Sequence, residues 1–135
     1  MAQHMIFVNL ATNDLEASKK FFTALGYGIN EQFSNENTAS VVISDTIIAV
    51  LHTRQRYAEF TKKEIADSTG TSEVLLALSS ESREKVDELV EKALAAGGSV
   101  SGETQDEGFV YGRAFDDLDG HTWEIAWMDP AALEG

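Results

Sequence analysis

The sequence predicts an α+β fold in which one structural unit is used twice. The main observation is element order. A strand, a capped helix and several short strands precede a polar linker, and the same order follows it. A second observation is the closing turn. Asp119-Gly120 separates two apolar runs, and Asp-Gly between apolar runs is a strong hairpin signal because Gly accepts the positive φ of a tight turn.

The elements follow in order. Met5 is the expected natural start, and nothing is built on His4. Met5 to Leu10 is a short apolar strand. Asn13-Asp14 offers an N-cap, and Leu15, Phe21, Phe22 and Leu25 have helical spacing up to the stop at Gly26 and Gly28. Ala39 to Ile43, a Ser44-Asp45 turn and Thr46 to Leu51 form a hairpin. In the second half, Glu73 to Leu78 is the strand. Ser80 or Ser82 caps a helix reaching Ala96, with Val86, Leu89, Val90, Ala93 and Leu94 on one face. Gly97-Gly98 stops it, and Gly108 to Phe115 pairs with Thr122 to Met128. The expected organisation is one domain over residues 1–135, with module one at 5–52, a linker at 53–71 and module two at 72–128. In the linker, Tyr57, Phe60 and Ile65 are spaced as one helix face. It is either a lid over a pocket or a connector.

Composition narrows the function classes. The chain has 135 residues, 43% of them hydrophobic, which suits a globular domain with a substantial core. It has no Cys, which excludes disulfides, thiolate metal sites and Cys nucleophiles. No apolar run approaches membrane-spanning length and no signal pattern opens the chain, so the expected location is cytoplasmic. The net charge of −13 is uneven: 15 of the 23 acidic residues follow Gly70. That field disfavours nucleic acid and anionic membranes; it is either a solvated acidic surface, the commoner case, or an attraction for cationic ligands.

Two stretches resemble a known family. Asn9 to Tyr27, with Asn13-Asp14-Leu15-Glu16-Ala17-Ser18 leading to Phe21-Phe22 and Leu25-Gly26-Tyr27, resembles the first strand–helix signature of the glyoxalase/bleomycin resistance/dioxygenase superfamily, the vicinal oxygen chelate proteins. Asp117-Leu118-Asp119-Gly120-His121-Thr122-Trp123-Glu124 resembles its closing motif, with Leu118 in place of the usual Pro. The resemblance implies paired βαβββ modules whose curved mixed sheets form a cup with helices on the outer face. It also implies a homodimer. Metal-using members place ligands on the first and last strands of the modules. Carried over by position, Glu124 matches, Glu73 falls near the second-module opening ligand, and Phe7 and Ala49 replace the first-module pair with side chains that bind no metal. Glu73 and Glu124 are therefore the only metal-ligand candidates. No cofactor is expected, and a divalent metal is the alternative. His52, three residues from Ala49, is expected to face away from that ligand position, and His121 to sit exposed.

Hairpin parity sets the expected site. Turns of two or four residues both put Tyr111, Arg113, Phe115 and Glu124 on one face, with Trp123, Ile125 and Trp127 under the helices. An odd loop or a bulge would break this. Arg113 then either pairs structurally with Glu124 or binds a substrate carboxylate or phosphonate. Phe7 and Asn9 share a face of the first strand, and Asn9 either bonds a neighbouring backbone group or contacts ligand. The ligand-binding candidates are thus Phe7, Asn9, Glu73, Tyr111, Arg113 and Phe115, with Glu124 as the catalytic candidate.

The resulting expectation is a small-molecule-binding protein of the glyoxalase/bleomycin resistance type with an incomplete metal-ligand set, taking a cationic or aromatic compound. The alternative is a metal-dependent lyase, isomerase or dioxygenase-like enzyme using Glu124 as metal ligand or general base.

Overall fold

The computed structural model describes residues 4–133. The chain divides into two compact units between Asp67 and Ser68. Among the described residues no helix is long and apolar enough to cross a membrane.

The first unit contains β1 (Ile6–Thr12), α1 (Leu15–Ala24), β2 (Gly28–Ile29), β3 (Thr38–Val42), β4 (Ile47–Thr53) and the short α2 (Arg54–Tyr57). Asp14 caps α1, its carboxylate accepting the Ala17 N–H at 3.0 Å, as the sequence predicts. The sheet order is β1-β4-β3-β2, with β1 parallel to β4 and the other pairs antiparallel. Leu15, Phe21 and Phe22 of α1 are buried, as are Leu10, Val41, Ala49 and Leu51 of the sheet. Burying this apolar face holds the helix on one side of the sheet.

The second unit repeats the plan. It contains β5 (Leu75–Ser79), α3 (Arg83–Ala95), the short β6 (Ser99–Val100) and β7 (Gln105–Asp106), then β8 (Val110–Asp116), β9 (Thr122–Met128) and α4 (Pro130–Leu133). The sheet order is β5-β9-β8-β6, with β7 also on β8 and β5 parallel to β9. Ser82 caps α3 by accepting the Lys85 N–H at 3.1 Å. Val86, Val90 and Ala93 of α3 are buried, as are Phe115, Trp123 and Ile125. The expectation that Trp123 and Ile125 lie under the helix holds.

The hairpin register corrects the expected site. Phe115 pairs with Trp123 and Asp116 with Thr122, leaving five residues, Asp117 to His121, in the turn. An odd turn reverses the parity. Ala114, not Arg113 or Phe115, lies opposite Glu124, so Tyr111, Arg113 and Phe115 share the helix-facing side with Trp123 and Ile125.

The cause is Asp117. Its Oδ1 accepts the N–H groups of Asp119 and His121, both at 3.0 Å, and its Oδ2 accepts the Trp123 indole N–H at 3.0 Å. The carboxylate folds the loop around itself and ties it to a core aromatic. Gly120 completes the turn at φ +86, and a Cβ there would lie 2.5 Å from the Ser68 carbonyl oxygen. Only Gly fits this approach of two backbones.

Candidate functional site

In the second unit, alternation and pairing place Glu124 on the face away from α3. Its neighbours there are Ala114 and Ala77, directly opposite on either side, with Gly112, Ala126 and Leu75 around them. Glu124 is half-buried and has no hydrogen-bond or ion-pair partner among the described residues. Asp116 shares the face and accepts the Thr122 hydroxyl at 2.6 Å. The paired positions of β5, β8 and β9 on this face include no Lys, Arg or His. It is therefore an anionic patch on a floor of small side chains.

Tyr111 and Arg113 belong to a different arrangement. Arg113 does not meet Glu124. Its guanidinium reaches Asp87 at 3.0 Å and Glu91 at 2.7 Å, both on α3. The Tyr111 hydroxyl donates to Asp87 at 2.6 Å. That bond, supported by Arg113, holds the Asp87 carboxyl below its ordinary range. Arg83 at the start of α3 grips Asp106 through two bonds of 2.6 and 2.8 Å and lies over the Tyr111 and Trp127 rings. This network fastens α3 to its sheet and does not line the Glu124 face. Phe115 is core.

Glu73 also falls outside the expected site. It lies exposed before β5, which begins at Leu75, and Ala77 is the residue opposite Glu124. The second expected metal donor is therefore not in the ladder.

In the first unit, Phe7, Asn9 and Ala11 face away from α1, opposite Ile48, Val50 and His52. Ala49 pairs with Val8 and is buried on the helix side, so it is not the partner of Phe7. Asn9 precedes α1 by the same interval as Ala77 precedes α3, which makes Val50 the counterpart of Glu124. His52 does face away from Ala49, and that places it on the Phe7 and Asn9 face. The expectation that excluded it took the wrong reference residue.

His52 is 4% exposed. Its Nε2 lies 2.8 Å from Asn9 Oδ1 and its Nδ1 lies 2.9 Å from Thr38 Oγ1. Burial, and then the Arg56 charge, push its pKa below the ordinary value. The signal that could have found it is alternation counted from Asn9 through the β1–β4 register rather than from Ala49.

Asp117, Asp119 and His121 form one further group, with ligand atoms within 4.8 Å of one another. Asp117 spends both oxygens on three N–H donors, so this group reads as a turn lock. Burial raises the Asp117 pKa, against the lowering pull of His121 and those donors. His121 is half-buried rather than exposed.

A model of the Glyoxalase/Bleomycin resistance protein/Dioxygenase superfamily matches residues 4–125. The chain belongs to this superfamily. A search of curated proteins finds no match. Among solved structures, the hypothetical protein SA1046 from S. aureus is 32% identical over 94% of each chain, with a TM-score of 0.77. A glyoxalase-related enzyme from Fulvimarina pelagi is 24% identical, covering 93% of this chain and 88% of the other, at a TM-score of 0.78. The fosfomycin resistance protein FosX from Listeria monocytogenes is 18% identical over 97% and 98%, at 0.69. The last two likenesses show the fold alone.

Metal binding is common in the superfamily, and the donor chemistry here does not fit it. On the face that carries Glu124, β5 offers Leu75, Ala77 and Ser79. In the first unit the matching strands offer Phe7, Val50 and an imidazole already bonded through both nitrogens. Taken singly, the second unit offers Glu124 and Asp116, the latter already accepting a hydroxyl, and the first offers one imidazole bonded through both nitrogens; each is a poor set for a transition metal, which takes three or four N, O or S ligands.

Proposed function

We propose that this superfamily member binds a small organic cation on the open face of its second sheet, with Glu124 as the anionic contact and without a metal. The observation that carries this reading is a half-buried carboxylate with no partner among the described residues, on a face whose paired positions include no basic side chain. Such a charge is best stabilised by a ligand cation. At about 4 Å and an effective dielectric near 20, the gross attraction is roughly 4 kcal/mol, of which desolvation removes a large part. The small residues Gly112, Ala114, Ala77 and Ala126 leave room for an aromatic or aliphatic body.

The same free lone pairs suit Glu124 to take a proton from a bound substrate, so turnover distinguishes an enzyme from a binder. A homodimer belongs to the same reading. The edge strand β1 exposes Ile6 and Phe7, and Val74 and Leu75 are exposed at the start of the edge strand β5. Sedimentation at micromolar concentration tests it, and a single species of monomer mass removes it.

Titration calorimetry with berberine, proflavine and bleomycin, against neutral and anionic aromatics, tests the ligand class. At least one cation is expected to bind wild type, and Glu124→Gln to weaken it tenfold or more. Elemental analysis after metal-supplemented growth is expected to find no stoichiometric metal. A stoichiometric metal lost on Glu124→Gln, or preferential binding of anions, overturns the reading.

A further inference from the structure

The chain leaving β4 turns back over the open face of the first sheet. Thr53 caps α2 by accepting the Arg56 N–H at 3.2 Å. Three further backbone bonds carry the turn to Phe60: Ala58 to Arg54, Glu59 to Arg56 and Phe60 to Tyr57, each 3.0 Å. The helical spacing expected through Ile65 ends at Tyr57. What this segment covers is His52. The Tyr57 ring lies 6.4 Å from the imidazole and the Phe60 ring 5.1 Å. The Arg56 guanidinium lies over the Phe60 ring at 4.5 Å and pairs with Glu59 at 2.7 Å.

The tautomer of His52 follows from its partners. Asn9 donates through Nδ2 to the Phe7 carbonyl at 3.4 Å, which turns its Oδ1 toward His52. Nε2 therefore carries the proton, and Nδ1 accepts from the Thr38 hydroxyl. The closed arrangement is built for neutral imidazole. The groups facing it are neutral on β1 (Asn9) and on β3 (Thr38). On the covering segment they are Tyr57, Phe60 and the cation Arg56, whose carboxylate partner is Glu59. Among the described residues, the ring nitrogens bond to Thr38 and Asn9 and to no carboxylate.

We propose that Arg54–Phe60 is an acid-released strap: it rests on neutral His52 and lifts when His52 takes a proton, uncovering the imidazole. A buried imidazolium beside a guanidinium is costly, whereas water solvates it once the strap lifts. The linkage sign follows. The closed state binds the proton less readily than the open one. Closure is therefore full above about pH 6.5, the ordinary imidazole value, and weakens as pH falls below it. The weakening is at most about tenfold per pH unit and ends when the closed imidazole itself titrates.

Hydrogen exchange of the Arg56, Ala58, Glu59 and Phe60 amides, corrected for intrinsic rates, reads the strap between pH 7.5 and pH 5. Wild-type protection is expected to fall about fivefold or more as pH drops below about 6.5, and to level off where NMR shows His52 titrating. His52→Gln keeps a donor and an acceptor but cannot titrate, and its protection is expected to be flat. Asn9→Asp places a carboxylate against Nε2 and is expected to keep the strap closed at pH 5. Wild-type protection that stays flat from pH 7.5 down to the pH at which His52 is protonated overturns the proposal, as does an unchanged pH response in His52→Gln. Should neither variant fold, the wild-type comparison alone decides: a fall that begins at about pH 6.5 and ends where His52 titrates supports the strap, and protection that is flat across that interval refutes it.

Discussion

Asp117→Ala tests whether the closing acidic turn is a structural lock. The substitution removes the acceptor of two backbone N–H groups and one indole N–H, all at 3.0 Å. Asp117 and Asp119 are 6% and 7% exposed, so water replaces these bonds poorly. Bonds to a charged group contribute about 1.5–3 kcal/mol each, and neighbours sharing one acceptor do not add fully. The expected cost is about 3–5 kcal/mol, a large share of the roughly 5–15 kcal/mol that a domain has. For a chain of this size that lowers Tm by roughly 10–20 °C. Asp117→Asn keeps an oxygen for the backbone donors but sets an amide NH2 against the Trp123 indole, so its cost should be about half. Urea unfolding followed by Trp fluorescence measures both variants. Stability of Asp117→Ala within about 1 kcal/mol of wild type would refute the lock, and the odd register would then need another cause.

Further outcomes follow from the same geometry. Gly120→Ala should cost about 3 kcal/mol or more, because its Cβ meets the Ser68–Thr69 backbone. Gly26→Ala, at φ +106 with open space, should cost only about 1 kcal/mol; equal costs in denaturant melts would contradict the clash. Glu124→Gln should leave stability within about 0.5 kcal/mol in the same melts, since the carboxylate has no partner among the described residues; a loss of several kcal/mol would expose a structural role. Asp106 titrates at about 2 because of the Arg83 bonds, followed by the Gly108 N–H. Its folded pKa is depressed, so this contact is complete above about pH 4 and is lost as pH falls through about 2. Carboxyl NMR should show Arg83→Gln moving that midpoint upward, and an unmoved midpoint would break the assignment.

Local chemistry was legible in the sequence because it acts over a few residues. Asp14 and Ser82 cap helices whose apolar stripes are continuous in the chain, and Gly26 and Gly97 end them by positive φ. The doubled element order and the closing motif therefore carry the α+β superfamily fold in the sequence itself. Glu124 stood out in the sequence as a candidate because it is an ionised group inside an apolar strand.

Its neighbours were not legible, because a strand's period of two turns one residue of turn length into a change of face. Asp-Gly announces a turn without fixing its length. That length is set by Asp117, whose carboxylate gathers two turn amides and a core indole from beyond the turn. Tyr111 and Arg113 consequently joined α3 rather than Glu124. His52 was missed for a related reason. Which β4 residues share a face with Asn9 depends on the parallel β1–β4 register, and that is set by pairing between segments some forty residues apart. Residue types, caps and apolar periods are properties of the sequence alone. The face each functional side chain shares is a property of long-range register, which only the tertiary structure decides.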